Sequence, residues 1–352
     1  MARIDLLGVS HHYELTPPPA QSDVTLVFIH GWLLSRSYWS PMIQRLAGEC
    51  RCLSYDLRGF GRSQVSRDAR NWACDQQYGL ETMLRTDSAA GIELGGPTNF
   101  AVKPPAATRN TAEGPWNKLF AQRCRVSPFT PASFARDLLV LLDKLEIQRP
   151  WLVGHSLGGA IAIWTAALCD RVVGVTCLNS GGGIYIEQEF AKFRGVGQRL
   201  LNIRPPILQY LPGMDWVFSR MNVADPVARQ WGKQQIIDFV SADAEAARGA
   251  LLDSTQAEEV LLLPRLVQGL GQPIFFIAGQ RDPVMNLKYV YHLASFHPLF
   301  QGSGANVIEI PNCGHLGMIE HPTSIAEHLC QMMAQHTPAT RTQSCPEGTL
   351  RS

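Results

Sequence analysis

The chain has 352 residues, of which 45% are hydrophobic, so it is long enough to bury a substantial core. Its 31 Lys and Arg residues are balanced by 30 Asp and Glu residues, which leaves a formal charge of +1. This balance gives no reason to expect a nucleic acid or an anionic membrane as a partner, and we expect a small-molecule substrate instead.

The cysteines and the N-terminal residues indicate the cellular compartment in which we expect the protein. Nine cysteines is an odd number, none forms a CxxC pair, and the closest two are Cys50 and Cys52. We therefore expect reduced thiols in a cytoplasmic protein. Residues 1–10 lack the apolar segment of a signal peptide, and no apolar run approaches the ~20 residues that a membrane span needs. None of the ten histidines has HExxH spacing, so we expect no metal site.

Strand patterns alternate with helix patterns along most of the chain. Short apolar runs typical of covered parallel strands occur at 24–29, 52–55, 150–153, 172–178, 273–278 and 305–310. Helical patterns occur at 37–47, 131–145, 157–168, 286–296 and 324–333. Thr130 followed by Pro131 is typical of a helix N-terminus. The alternation predicts an α/β fold, with a mostly parallel sheet and helices on both faces.

Two segments interrupt this alternation. Residues 64–127 are rich in Gly, Pro, Thr, Asn and Ala, and they predict an insertion that is partly or wholly irregular. Residues 183–271 carry four helical patterns and predict a helical cap inserted between two strands of the sheet. The polar residues 337–352 predict a flexible tail. The predicted core then consists of 1–63, 128–182 and 272–336.

A candidate nucleophile lies in the motif Gly154-His155-Ser156-Leu157-Gly158. This G-x-S-x-G pattern forms a tight turn between a strand and a helix, which raises the serine hydroxyl over the end of the sheet. The residues before it have a strand pattern and those after it a helical pattern, as the turn requires. The alternative is a glycine-rich turn with an ordinary helix-capping serine, and the matching context favours the nucleophile.

A serine nucleophile needs a histidine base and an acid that orients the base. Asp282 follows the strand pattern at 273–278, and His315 follows the pattern at 305–310. Parallel strands end at one edge of a sheet, so both side chains are predicted to project near Ser156. Taken singly, Asp282 is equally well explained as a helix cap and His315 as a surface histidine. Their order along the chain and their equivalent places after two strands favour a catalytic triad.

The chemistry also needs N–H groups that stabilise the negatively charged oxygen of a tetrahedral intermediate. The backbone of Leu157 supplies one such group, and Trp32, in the turn that ends the first strand pattern, supplies the second. His30, Gly31 and His155 flank these donors and are predicted to border the substrate.

The sequence allows two roles for the Arg58 side chain. It either contacts a substrate carboxylate or pairs with a structural acid, and we favour the structural pair. Apolar cap residues favour a substrate with an apolar part. These residues are Phe190, Phe193, Leu208, Tyr210, Trp216, Phe218 and Met221.

Together these segments resemble the α/β-hydrolase superfamily. The matching stretches are LVFIHGW, YDLRGFGRS, LVGHSLGG, AGQRDPV and NCGHLGMIEHP, which span much of residues 26–333. The resemblance implies an eight-stranded sheet, a cap over the active site and no cofactor. In this family a short loop normally stands where residues 64–127 lie here. Haloalkane dehalogenases and epoxide hydrolases of this fold carry Asp at the nucleophile position, so Ser156 argues against both.

The leading hypothesis is a serine hydrolase that cleaves a carboxylic ester, thioester or lactone through an acyl-enzyme. One alternative uses the same triad on another bond, as in carbon–carbon hydrolases, the small lyases of quinone biosynthesis and cofactor-free perhydrolases. Another is a ligand-binding protein that keeps the fold without catalysis, and the complete triad argues against it. The sequence names neither the substrate nor the oligomeric state.

Overall fold

A central eight-stranded sheet organises the protein. The computed structural model describes residues 2–19, 22–64, 116–182 and 187–337. The strand order is β1-β2-β4-β3-β5-β6-β7-β8, in which β1 and β2 pair antiparallel and all strands from β4 onward are parallel. The strands are β1 (Ala2–Leu6), β2 (Val9–Leu15), β3 (Thr25–Ile29), β4 (Arg51–Tyr55), β5 (Pro150–His155), β6 (Gly174–Leu178), β7 (Ile274–Gly279) and β8 (Val307–Ile310).

The helices connect successive parallel strands and cover both faces of the sheet. Those of the first half are α1 (Ser40–Leu46), α2 (Asn117–Val126), α3 (Pro131–Lys144) and α4 (Leu157–Leu168). Those of the segment between β6 and β7 are α5 (Glu187–Asn202), α6 (Met214–Phe218), α7 (Arg229–Ser241), α8 (Ala244–Ser254) and α9 (Ala257–Gly269). The last are α10 (Leu287–Ala294), α11 (Gly317–Glu320) and α12 (Pro322–His336).

Burial on both faces explains why the strand patterns are continuous apolar runs. Every residue of β3 is buried. Val27 and Ile29 belong to one hydrophobic core cluster, whereas Leu26 and Phe28 belong to the cluster on the other face. Successive side chains of a strand point to opposite faces, so a strand covered on both sides needs apolar residues throughout. The predicted α/β fold with a mostly parallel sheet is confirmed.

The predicted elements differ from the observed ones mainly at their ends. The helix predicted at 37–47 divides into a 3₁₀ turn at Arg36–Trp39 and α1. The cap at Thr130 forms as expected, because its side chain accepts a hydrogen bond from the Ser133 N–H. The hairpin of β1 and β2 is an addition to the six predicted strands, and it joins the edge of the sheet through antiparallel pairing with β4.

The segment predicted as an insertion ends in a helix that packs on the core. In α2, Phe120 and Cys124 are buried in the core cluster, and Arg123 pairs with Glu259 at 2.9 Å. Within the segment predicted as partly or wholly irregular, residues 117–126 thus form a helix, whose apolar face is buried against α3 and against Trp164 of α4. Residues 65–115, the rest of the predicted insertion, lie outside the described residues, as do 338–352.

The last helix of the segment predicted as a cap also packs on the core. Leu263, Leu266 and Val267 of α9 belong to the same cluster as the apolar residues of α4. Glu259, at the start of α9, accepts a hydrogen bond from the Trp164 indole N–H at 2.5 Å. Whether 183–271 acts as one cap remains a prediction, but α9 is anchored to the helices that cover the sheet.

A buried ion pair ties the loop after β4 to α3. The Arg58 Nε donates to Asp137 at 2.9 Å, a second nitrogen of the same guanidinium also pairs with this carboxylate, and both side chains are almost fully buried. Burial raises the pKa of Asp137, but the positive charge of Arg58, the neighbouring His11 ring and the hydrogen bonds from Arg58 together outweigh burial and lower the pKa to about 2. This pair gives Arg58 the structural role that the sequence favoured over contact with a substrate.

Replacing Arg58 by Met should lower the free energy of unfolding by about 3–5 kcal/mol, because Asp137 then stays buried without its cation. Urea denaturation at neutral pH measures this loss. The ionised carboxylate contributes above about pH 4, the pKa of an unfolded Asp, and its contribution is lost as the pH falls through about 2. The control is Arg58→Met/Asp137→Leu, which should regain most of the stability. An Arg58→Met protein as stable as the parent would contradict this account.

Candidate active site

The three residues predicted as a triad follow three different parallel strands at the same edge of the sheet. Ser156 follows β5, Asp282 follows β7 and His315 follows β8. Since parallel strands present their carboxyl ends at one edge, the fold gathers these side chains from distant parts of the chain. All three border one cavity of about 570 Å³.

The backbone at Ser156 has a conformation that few residues other than glycine adopt. Its φ is 52° and its ψ is −117°, directly before the first residue of α4. Two glycines permit the sharp turn: a Cβ on Gly154 would lie 2.2 Å from the Gly158 carbonyl oxygen, and one on Gly158 would lie 2.3 Å from the Ile29 carbonyl oxygen. The G-x-S-x-G sequence thus lets strand and helix cross closely with the serine at the crossing.

Asp282 and His315 are joined by a hydrogen bond. The distance from His315 Nδ1 to Asp282 Oδ2 is 2.8 Å, and both side chains are largely buried. The other carboxylate oxygen accepts the N–H groups of Val284 and Met285 at 2.7 and 2.9 Å. Burial raises the pKa of Asp282, but the charge of His315 and these hydrogen bonds outweigh it and hold the pKa below its usual value. An ionised Asp282 accepts a hydrogen bond from the Nδ1–H of His315, which leaves Nε2 as the ring nitrogen without a proton.

Asn179, to which the sequence analysis gave no role, links the acid to the loop of the base. It directly follows β6, has a φ of 48° and is fully buried. Its side-chain amide donates to Asp282 Oδ2 at 2.9 Å and to the Gly314 carbonyl oxygen at 3.0 Å. An asparagine directly after a strand of the sheet was the only signal that the sequence offered.

Glu320, also unassigned from the sequence, holds the loop that carries His315. Its carboxylate accepts the backbone N–H groups of Gly314 at 2.9 Å, Leu316 at 3.0 Å and Ala224 at 2.7 Å. Burial raises the pKa of Glu320, and these three donors oppose that effect. The residue on each side of His315 is therefore fixed to one side chain, which also binds the loop before α7.

His155 lies against the backbone and the ring of His315. Its Nε2 donates to the His315 carbonyl oxygen at 2.7 Å, and the two ring centres are 4.8 Å apart. Burial, followed by the charge of His315, lowers the pKa of His155 to about 3, so its ring is neutral. His155 borders the cavity, and its Nδ1 has no hydrogen-bond partner among the described residues. Its predicted contact with substrate remains a prediction.

His30 and Gly31 serve the turn after β3. The His30 ring is fully buried, with Nδ1 donating to the Gly31 carbonyl oxygen at 2.8 Å and Nε2 accepting from the Leu57 N–H at 2.9 Å. Both nitrogens are thus occupied by backbone, and His30 is not among the residues that border the cavity. Gly31 lies close to the nucleophile turn, since a Cβ there would be 2.7 Å from the His155 Nδ1.

The two residues predicted to supply oxyanion donors flank the nucleophile. Leu157 is the first residue of α4, so its N–H is one of those that an α-helix leaves without an acceptor in the helix. Trp32 borders the cavity, and its indole N–H donates to the Ala247 carbonyl oxygen at 2.8 Å, which anchors the turn after β3 to α8. The oxyanion role of both N–H groups remains a prediction.

The cavity is apolar on one side and polar at the candidate triad. Val196 and Leu200 of α5, with Leu34 and Val284, form apolar parts of its wall. None of the described residues that border it is Lys or Arg. Of the apolar cap residues proposed from the sequence, Leu208, Tyr210, Trp216, Phe218 and Met221 do not border it, and the side chains of Phe190 and Phe193 lie outside the described set.

The residues that the structure describes contain no group of three or more His, Cys, Asp or Glu side chains placed to hold a metal ion. They also contain no helix that is both long and apolar enough to cross a membrane.

Replacing Glu320 by Ala should cost at least about 2 kcal/mol of unfolding free energy, because three backbone N–H groups lose their acceptor. Thermal and urea unfolding measure the loss, and amide hydrogen exchange should show faster exchange at Gly314 and Leu316. Glu327→Ala is the matched control, since Glu327 is an exposed glutamate on α12. Unchanged exchange at Gly314 and Leu316 in the Glu320 variant would show that the carboxylate does not hold this loop.

Solved structures share this architecture. A thermophilic esterase from Thermogutta terrifontis aligns over 96% of this chain and 100% of its own, with a TM-score of 0.61 and 19% identity. An enol-lactonase from Burkholderia xenovorans LB400 aligns over 95% of this chain and 100% of its own, with a TM-score of 0.59 and 18% identity. At these identities the likeness shows the fold.

Sequence comparison finds curated relatives and a family. The chain is 27% identical over 207 residues to a 2-succinyl-6-hydroxy-2,4-cyclohexadiene-1-carboxylate synthase of Salmonella heidelberg (strain SL476). This match covers 57% of the present chain and 75% of the Salmonella protein. The model of the alpha/beta hydrolase family matches residues 26–328, which include Ser156, Asp282 and His315. The chain therefore belongs to the alpha/beta hydrolase family, as its sequence motifs predicted.

Proposed function

We propose that this protein hydrolyses a carboxylic ester, thioester or lactone with an apolar portion, through an acyl-enzyme on Ser156. The observation that carries the proposal is the hydrogen bond between Asp282 and His315 beside a cavity that Ser156 also borders. A hydrolase fold with a strained serine at the end of β5 supports the same reading.

In the proposed mechanism, Ser156 Oγ attacks the carbonyl carbon of the ester while His315 Nε2 takes the hydroxyl proton. The N–H groups of Trp32 and Leu157 stabilise the negative charge that develops on the carbonyl oxygen. His315 then gives its proton to the departing alcohol, thiol or ring oxygen, and the acyl group stays on Ser156. Water repeats the sequence and releases the acid. Asp282 fixes the ring and stabilises its protonated form.

The walls of the cavity favour an uncharged acyl group. Val196, Leu200 and Leu34 offer apolar contact, whereas the Asp282 carboxylate and the absence of Lys and Arg among the described lining residues disfavour a substrate anion. A buried carboxylate needs a paired cation or several donors to offset its lost hydration. An ester of a simple fatty acid fits these walls.

The Salmonella relative supports a second candidate, in which the same triad serves a synthase reaction. The name of that protein describes a product with a ring carboxylate and a succinyl group, and both are acidic. A site for such a molecule would need cations near its carboxylates, and the described lining has none. The ester hydrolase is therefore the better-supported candidate.

A fluorophosphonate probe should label the parent protein at Ser156, because an activated serine attacks the phosphorus atom. Ser156→Ala should abolish labelling and reduce hydrolysis of p-nitrophenyl butyrate by at least about 10³-fold. Mass spectrometry of the labelled peptide and a spectrophotometric assay measure the two effects.

The control for this prediction is Ser324→Ala on α12, a serine that does not border the cavity, and this variant should be labelled and turn over substrate like the parent. Folded parent protein that the probe does not label would overturn the proposed function and favour a ligand-binding role.

Charge on the acyl group should decide between the two candidate functions. We expect kcat/KM for p-nitrophenyl butyrate to exceed that for mono-p-nitrophenyl succinate by about tenfold or more, because the second ester places an unpaired carboxylate in the cavity. The two acyl groups have equal numbers of carbon atoms, so their comparison isolates the charge. A preference for the succinyl ester would instead support the synthase-like candidate.

A further inference from the structure

Exposed apolar side chains are concentrated on one part of the segment between β6 and β7. Among the described residues, eleven large apolar side chains are exposed, and eight of them lie between 196 and 217. Scattered exposed apolar residues are common on proteins, but eight within one stretch of 22 residues is a concentration typical of an interaction surface. We call this group the cap patch. It consists of Val196, Leu200, Ile203, Ile207, Tyr210, Leu211, Trp216 and Val217.

The cap patch is the outer side of elements whose inner side is packed. On α5, Val196 and Leu200 share one helical face and Ile203 follows directly after the helix, whereas Gly197 packs against Leu251 of α8. The 3₁₀ turn at Pro206–Tyr210 and helix α6 both pack against α7, yet neither contains a buried residue. Ile207, Tyr210 and Trp216 remain 59%, 76% and 52% exposed.

The segment that carries the patch is strongly basic. Between 194 and 233 there are six Lys and Arg residues and two Asp residues, so its formal charge is +4, whereas the whole chain has +1. Arg199, Arg220 and Lys233 are exposed, and the Arg220 guanidinium stacks on the Trp216 ring at 3.9 Å. The near-neutral total, which gave no reason to expect an anionic membrane, conceals this local charge.

Exposed apolar side chains together with basic ones favour one class of partner. Apolar side chains that enter the hydrocarbon, aromatic rings at the level of the headgroups and basic side chains for the phosphates are the features of a surface that binds anionic lipid. A second copy of the chain fits less well, because a symmetric pairing of this surface would place its positive charges against each other.

The patch is also continuous with the candidate active site. Val196 and Leu200 belong to the patch and border the same cavity as Ser156 and His315. We propose that the cap patch binds an anionic lipid surface and that the cavity takes its ester substrate from that surface. The second half of this proposal rests on the proposed function, whereas the binding step is independent of catalysis.

Sedimentation with sucrose-loaded vesicles tests the binding step on the full-length protein. We expect the protein to sediment with vesicles of phosphatidylcholine and phosphatidylglycerol, and much less with phosphatidylcholine alone or in high salt. Ile207→Asp/Trp216→Asp should reduce the partition coefficient by about tenfold or more. Leu261→Asp is the matched control, because Leu261 is 65% exposed but lies outside the patch, on α9.

Ester hydrolysis and vesicle binding are measured in separate assays, so a failure of the proposed function can be told apart from a failure of the proposed lipid surface. Neither Ile207 nor Trp216 borders the cavity, so the double variant should hydrolyse dissolved p-nitrophenyl butyrate like the parent, which also verifies its fold. Ser156→Ala should bind vesicles like the parent. Vesicle binding without probe labelling would overturn the proposed function and leave the lipid surface in place.

Three results would overturn the proposal that the cap patch binds an anionic lipid surface. The first is hydrolysis of the dissolved ester by a parent protein that does not sediment with the anionic vesicles. The second is equal binding by the double variant and the parent. The third is a parent protein that does not bind vesicles but forms a dimer in analytical ultracentrifugation, together with a double variant that is monomeric. That result would assign the cap patch to contact with a second copy of the chain.

Discussion

The close crossing of β5 and α4 is the constraint on which the candidate active site depends. Gly154 and Gly158 have no room for a side chain, and the turn between them places Ser156 at a φ of 52°. Any residue larger than glycine at either position would push the helix away from the strand or from β3. The strained serine is thus held by backbone packing rather than by a hydrogen bond of its side chain to the helix.

The loop that carries His315 is held by a second, polar set of contacts. Three side chains from different parts of the fold bind this loop. They are Asn179, which directly follows β6, Asp282 in the loop after β7, and Glu320 of α11. Each partner engages backbone or ring atoms of the loop, so the position of the imidazole is set before a substrate arrives. Preorganisation of this kind lowers the reorganisation that proton transfer would otherwise require.

The segment between β6 and β7 combines two kinds of surface. Its last helix, α9, is part of the packed core through Leu266 and Val267, whereas α5 and α6 expose apolar side chains. Of these exposed side chains, Val196 and Leu200 of α5 also border the cavity. This arrangement relates the proposed substrate, an ester with an apolar acyl group, to the surface from which it would come.

The sequence by itself determined the fold class, because continuous apolar runs and intervening amphipathic patterns reflect burial on both faces of a parallel sheet. It also indicated Ser156, Asp282 and His315, since each residue lies in the turn that follows a strand pattern. It did not reveal that α2 is helical, because the apolar residues of that helix find their partners, α3 and Trp164 of α4, only in the folded protein.

Only the tertiary structure decided the roles that depend on neighbours distant in the chain. In the folded protein, Arg58 pairs with Asp137, and both ring nitrogens of His30 form hydrogen bonds with backbone groups. Asn179 and Glu320 form hydrogen bonds with the loop that carries His315. The tertiary structure also showed that apolar and basic side chains of the segment 194–233 are exposed together, among them Trp216 and Arg220 in direct contact. Composition sums charge over the whole chain, whereas burial and contact depend on which residues the fold brings together.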